Sequence, residues 1–366
     1  MYVVYIYIKV LMDKIHIVTA GDSFTDSHMP FISSDDCTTY LGLHDKLTTP
    51  IEMCAVDYSM KYQYFLINEL YESGVNFDYY NIGRGSSGNH VITHNYRKKI
   101  QQLLAKGVEP TNIYGTIQLS GLVRQTDPIY DIEFDLPNVD GAEWDYINNM
   151  NPTVSNYKDV LEAHILNIEN IIQWNKDKGI EHFNMFFGWA VYYEDELNEY
   201  GLKERFDAID KKYFYTYEYK ESNDVMKQSC VGAKKILKEI FGINEQYIIA
   251  ADKYGGMTEI VRDNTTENQY FYIAKWDPHL NTFGNYIFYK NYYRKLFENW
   301  NILSSENFIE NVHLKWETFK RIFEINNEVF LDSYTNNFNK LPQNEYEVEK
   351  SKRKQYYYKK YFTNLI

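Results

Sequence analysis

Residues that staple or interrupt a fold are scarce in this chain. Cysteine occurs three times in 366 residues, at the widely scattered positions Cys37, Cys54 and Cys230. That number and spacing exclude a disulfide scaffold and a CxxC zinc site, and fit a reduced compartment. Positive charge is also short: 38 Lys and Arg face 51 Asp and Glu, a net charge of −13 that argues against nucleic acid as a partner. The N-terminal apolar run Tyr2–Met12 is too short to cross a bilayer. It lacks the basic start of a signal peptide, and cleavage after Ala20 would destroy the strand described below. We read residues 1–13 as an appendage, Met12 as an alternative start, and the setting as intracellular or virion-associated. Only eight prolines occur, against 36 tyrosines and abundant Asn, Lys and Ile. Coding bias of an AT-rich gene accounts for this mixture; surface tyrosines for sugar or partner contact are the second reading.

The length allows one large domain or two, so core size is no constraint. Short apolar runs alternate with helical periodicity. Ile15–Ala20, Phe77–Ile82, Ile113–Leu119, His182–Phe187 and Tyr247–Ala251 read as strands. Helices are expected over Met60–Tyr71, Val91–Leu104, Asp159–Trp174 and Val225–Phe241. In the third of these, Leu161, Ile165, Ile168 and Ile172 recur at spacings of 4, 3 and 4. This alternation predicts an α/β fold: three layers, α/β/α, around a flavodoxin-like doubly wound parallel sheet of about five strands. A closing helix carries Tyr286, Tyr289, Tyr293, Leu296 and Trp300. Residues 301–366 form a helical C-terminal extension with a basic tail, a candidate for docking on its own domain or on a protein partner.

Three connections, 125–156, 192–224 and 252–276, are oversized for such units and are expected at the carboxyl edge of the sheet, where ligands bind. The first combines seven acids with Tyr130, Trp144 and Tyr146, which we take as candidates for contact with a polar ligand such as a glycan. Its acids lack the spacing of an EF-hand. His90 and His94 stand four apart without the glutamate of an H-E-x-x-H motif, so no metal site is expected.

The most telling segment is Ile15–Ala20 followed by Gly21-Asp22-Ser23. A buried strand stopping at Gly-Asp-Ser delivers a serine to the mouth of a sheet, beside free backbone N–H groups. A second block, Asn81-Ile82-Gly83-Arg84-Gly85-Ser86-Ser87-Gly88-Asn89, follows the strand at Phe77. A third, Asp277-Pro278-His279, opens a late helical segment.

In this order the three blocks resemble the SGNH (GDSL) hydrolase superfamily, across residues 14–300. The resemblance implies a serine esterase with Ser23 as nucleophile, His279 as base and Asp277 orienting the imidazole. It further implies an oxyanion hole from the N–H of Ser23 and one from the Gly85–Ser86 turn, with no cofactor. The family more often places the aspartate three residues before the histidine, where Trp276 stands. The family also has a Gly-x-Asn-Asp block after the third strand. Here the chain reads Leu119-Ser120-Gly121-Leu122-Val123-Arg124, so Ser120, Arg124 and Asn89 become candidates to replace the asparagine. The implied substrate is a small acyl ester or an acylated glycan, with no membrane. Two alternatives stand beside it: an O-acyltransferase using the same chemistry, and a virion structural or receptor-binding protein that keeps the fold without turnover.

Overall fold

The computed structural model describes residues 14–25, 31–34, 61–85, 87–120, 157–188, 194–218, 254–265, 272–274 and 277–304. In chain order these form β1 (Ile15–Ala20), β2 (Phe31–Ser33), α1 (Tyr62–Glu72), β3 (Phe77–Asn81), α2 (Asn89–Ala105), β4 (Ile113–Leu119), α3 (Tyr157–Asp177) and β5 (His182–Phe187). There follow α4 (Glu194–Glu199), α5 (Lys203–Asp207), β6 (Phe214–Tyr215), β7 (Tyr217–Glu218), β8 (Tyr254–Gly255) and α6 (Met257–Asp263). Last come β9 (Tyr272–Ala274), β10 (Asp277–Leu280), α7 (Thr282–Phe288), a π-helical turn at Tyr289–Tyr293, and α8 (Arg294–Asn299).

The protein is α/β, with a mostly parallel mixed sheet of six strands in the order β2-β3-β1-β4-β5-β6. Only β2 runs antiparallel, against β3. Among the five parallel strands the order in sequence is 2-1-3-4-5. Four lie where the periodicity puts them. The fifth does not: β6 falls inside 192–224, which the sequence reading treats as a connection. A two-residue strand is below the length at which alternation can be recognised. The sheet edge β2 escapes for the same reason. Tyr247–Ala251, Val225–Phe241, connection 125–156, and residues 1–13 and 305–366 lie outside the described residues.

Strands near the centre are apolar on both sides, as expected when helices cover both faces. Ile15 and Ile17 of β1, Phe77 and Tyr79 of β3 and Phe186 of β5 pack with α1, α6, α7 and α8. Val18 and Ala20, Ile117 and Leu119, and Met185 and Phe187 face the other way, onto α2 and α3. Helix α1 is buried along the whole of Tyr62–Leu70, including Gln63, Asn68 and Glu69. A buried glutamate has to be paired, and Arg294 supplies the partner. Its Nε donates to both Glu69 carboxylate oxygens at 2.8 and 3.0 Å, and Nη2 donates to Oε1 at 2.7 Å. The side chains are only 5% and 7% exposed. Nη2 also donates to the Ser304 carbonyl at 2.9 Å. The Tyr289 hydroxyl donates to the same carboxylate.

The π turn explains how so many tyrosines face one way. Continuous α geometry would bury Tyr286, Tyr289 and Tyr293; the wider turn also brings in Tyr292, which donates to Asn184 Oδ1 at 2.5 Å. Tyr293 reaches the sheet, sharing hydrogen bonds with Thr116 Oγ1 at 2.9 Å and Thr19 Oγ1 at 3.2 Å.

Removing one member of a buried pair strands the other. Arg294→Ala is therefore expected to lower unfolding free energy on the order of 3–5 kcal/mol, measured by urea denaturation. A loss within the range of a surface substitution would show that the pair does not join α1 to α8.

Candidate active site

The site begins where β1 stops. Asp22, Ser23, Phe24 and Thr25 turn tightly after Ala20 and Gly21, with the Thr25 N–H donating to the Asp22 carbonyl at 2.9 Å. Asp22 is fully buried and its Oδ1 accepts from the Phe24 N–H at 3.0 Å. Three side-chain amides then fasten the turn. Gln118 Oε1 accepts from the Asp22 N–H and from the Thr25 hydroxyl, both at 3.1 Å. Gln63 and Asn81 each donate to the Thr25 carbonyl at 2.9 Å. The Thr25 hydroxyl also meets Tyr62 Oη at 2.9 Å. Gln118 occupies so much of the space that a Cβ on Gly21 would lie 2.7 Å from its Oε1, and one on Gly188 2.7 Å from its Nε2. Gly21 needs glycine, since its Cβ would also lie 2.6 Å from Thr25 Cβ, whereas at Gly188 Gln118 would have to shift.

Ser23 is left with two free directions. Its N–H has no acceptor among the described residues. Its hydroxyl meets His279 Nε2 at 2.6 Å, across 256 residues of sequence. The Ser23 carbonyl accepts from the buried Lys61 ammonium.

His279 stands in β10, which pairs with β9 through Asp277↔Ala274 and Leu280↔Tyr272 with a register shift between them. Pro278 has no N–H to give the ladder, which accounts for the irregularity, and such bulges re-aim side chains. The ring packs on Phe24 with centroids 4.7 Å apart. Immediately after it, Asn281 caps α7 by accepting from the Gly284 N–H at 2.9 Å. Asn285 donates to the carbonyls of Leu280 and Asn281 at 2.9 and 3.0 Å, and accepts from the Tyr62 N–H at 3.3 Å. The histidine segment is thus tied to the start of α1. Asp277 lies two residues before His279 in the same strand, its side chain outside the described set.

The second block lies alongside the first: the Arg84 N–H donates to the Gly21 carbonyl at 3.0 Å. Gly83 N–H donates to Asn81 Oδ1 at 2.9 Å, folding this block back over the strand end. Gly85 follows directly. Ser86, Arg124, Tyr130, Trp144 and Tyr146 lie outside the described residues.

Asn89 and Ser120 meet closely. The Ser120 N–H donates to Asn89 Oδ1 at 2.8 Å, and Asn89 Nδ2 donates to the Ser120 carbonyl at 3.1 Å. Since a backbone N–H can only donate, the Asn89 amide has one orientation. Its second N–H then points at His164 Nε2, which must be the acceptor. Both amide hydrogens are used, so Asn89 has none to offer a ligand in place of the family's asparagine.

Sequence reading passed over Gln118, Lys61 and His164. Gln118 could be noticed as an amide side chain in a fully buried strand. His164 falls on the buried stripe of α3, three residues after Leu161 and four before Ile168. No group of three His, Cys, Asp or Glu residues suited to a metal occurs among the described residues. No described helix is long and apolar enough to cross a membrane.

Burial pushes the His164 pKa down from 6.5 to about 3, with nearby His90 adding to the effect. Below about pH 6.5 the unfolded chain therefore takes up a proton that the native one refuses. Stability is expected to fall as the pH drops through the window from 6.5 toward 3. His164→Gln keeps an acceptor for Asn89 and removes the titration. Its stability–pH slope between pH 6 and 4, from urea midpoints, should be shallower by up to about 1.4 kcal/mol per pH unit. Equal slopes would refute the buried neutral imidazole.

Compared with known family models, curated proteins and solved structures, the chain finds no match.

Proposed function

We propose that this protein is a serine esterase of SGNH type that hydrolyses a small O-acyl ester, with acetyl groups on a polysaccharide as the favoured substrate. The observation that carries the reading is the 2.6 Å contact between Ser23 Oγ and His279 Nε2. A serine hydroxyl is inert until a base takes its proton. The contact joins the first and last of the three blocks, at the carboxyl end of a central strand. The 2-1-3-4-5 order of the parallel strands, that of the flavodoxin-like architecture, supports it too.

In this reading Ser23 Oγ attacks the ester carbonyl while its proton passes to His279 Nε2. Collapse of the tetrahedral intermediate expels the alcohol, which takes that proton from the imidazolium. Water then repeats the two steps on the acyl-enzyme and releases the acid. Asp277 is assigned to hold the far ring nitrogen and steady the imidazolium. The free N–H of Ser23, with one from Gly85–Ser86, is assigned to the developing oxyanion. A sugar hydroxyl replacing water in the second half would make the same site an acyltransferase. The glycan preference rests on family analogy and on the aromatic residues of 125–156.

A fluorophosphonate probe should modify Ser23, losing fluoride as the Oγ–P bond forms. Ser23→Ala should abolish labelling without unfolding, and His279→Ala should slow it on the order of 10²-fold or more. Peptide mapping checks the position. Labelling elsewhere, or none under conditions that label a control esterase, would instead favour a protein that keeps the fold without turnover.

A further inference from the structure

The carboxyl end of β4 holds a group that no described residue uses. Ser120 is fully buried, and its hydroxyl has no hydrogen-bond partner among the described residues. Buried hydroxyls are normally paired, because an unmade hydrogen bond is costly. Rotation usually lets a serine find a neighbouring carbonyl, so an orphan in a well-tied segment calls for a reason.

This segment is well tied. Asn89 holds both main-chain polar groups of Ser120, and the His164 ring holds the Asn89 amide in turn. Leu119, the preceding residue, accepts at its carbonyl from the Gly188 N–H at 3.1 Å and from Gln118 Nε2 at 2.7 Å. The backbone under the hydroxyl is thus fixed from three sides, which is how a preorganised donor is mounted.

Its place in the sheet is as informative. Ala20 pairs with Ile117 across β1 and β4. Ser23 and Ser120 each stand three residues beyond that pair, at the same end of adjacent parallel strands. Along β4, Thr116 bonds to Tyr293 and Gln118 to Thr25. Both partners belong to the side of the sheet on which Phe24, Leu280 and α7 pack. Alternation makes Ser120 the next member of that series.

We propose that the Ser120 hydroxyl is a donor for the ligand's carbonyl oxygen, meeting the charge that develops when Ser23 attacks, with Asn89 and His164 as its positioning residues. This rests on Ser23 being the nucleophile. It also accounts for how the chain does without an asparagine at this strand end.

The test compares rates of fluorophosphonate labelling at Ser23, since the phosphoryl oxygen of the adduct occupies the position of the oxyanion. Ser120→Ala should slow labelling on the order of 10-fold or more. Its melting temperature should be unchanged or raised, because the substitution removes an unsatisfied buried hydroxyl. Equal rates in both proteins would overturn the assignment and leave the nucleophile reading intact. A slower rate accompanied by a lowered melting temperature would also overturn it, as a structural effect. A wild-type protein that does not label at Ser23 would overturn both.

Discussion

A buried strand that ends inside a protein must hand over its last backbone hydrogen bonds to something. At the end of β1 that something is a set of side-chain amides. Gln118 takes the Asp22 N–H and the Thr25 hydroxyl, while Gln63 and Asn81 both serve the Thr25 carbonyl. Each amide comes from a different element: β4, α1 and the end of β3. The turn is therefore fixed by the packing of the sheet and α1 as well as by its own Asp22. At its apex the frame leaves the Ser23 N–H without an acceptor among the described residues and the Ser23 hydroxyl to His279.

The histidine reaches this apex from β10, 256 residues along the chain, by the same kind of linkage. Asn285 spans the carbonyls behind His279 and the first N–H of α1, and α1 carries Gln63 and Tyr62 to the serine turn. Lower down, Glu69 on the same helix meets Arg294. Helix α1 is thus a common brace for both halves of the Ser–His contact, which is why it is buried on every side and includes residues that are rarely enclosed.

Much of this architecture can be read from the chain. The four long parallel strands and the helices at Tyr62, Asn89 and Tyr157 announce themselves by period, because each has at least one apolar face that must be covered. The Gly-Asp-Ser, Asn81–Asn89 and Asp-x-His blocks name Ser23 and His279 before any coordinate does. The supports do not announce themselves. Gln118, Asn285 and His164 act through bonds to residues scores of positions away, and no local pattern encodes a partner at that separation. β6 was hidden by brevity. The tyrosine excess, attributed to coding bias, has a physical use that composition cannot reveal. Tyr79 donates to Thr19, Tyr96 to Asn175 and Tyr292 to Asn184, so rings that fill the core also tie β3 to β1, α2 to α3 and the π turn to β5.

The π turn at Tyr289–Tyr293 makes the placing of α8 a matter of residue count as much as of residue type. A π turn is an α-helix carrying surplus backbone, and deleting any single residue there would let ordinary α geometry close over the gap. The residues beyond would keep their places, because the wide turn already takes up the surplus; one further residue, with no second wide turn to hold it, would swing everything beyond by about 100° around the helix axis. Arg294 would leave Glu69, and Phe297 would leave the core. Lineages of this protein should accordingly tolerate exchanges of one aromatic for another across this stretch far better than an insertion.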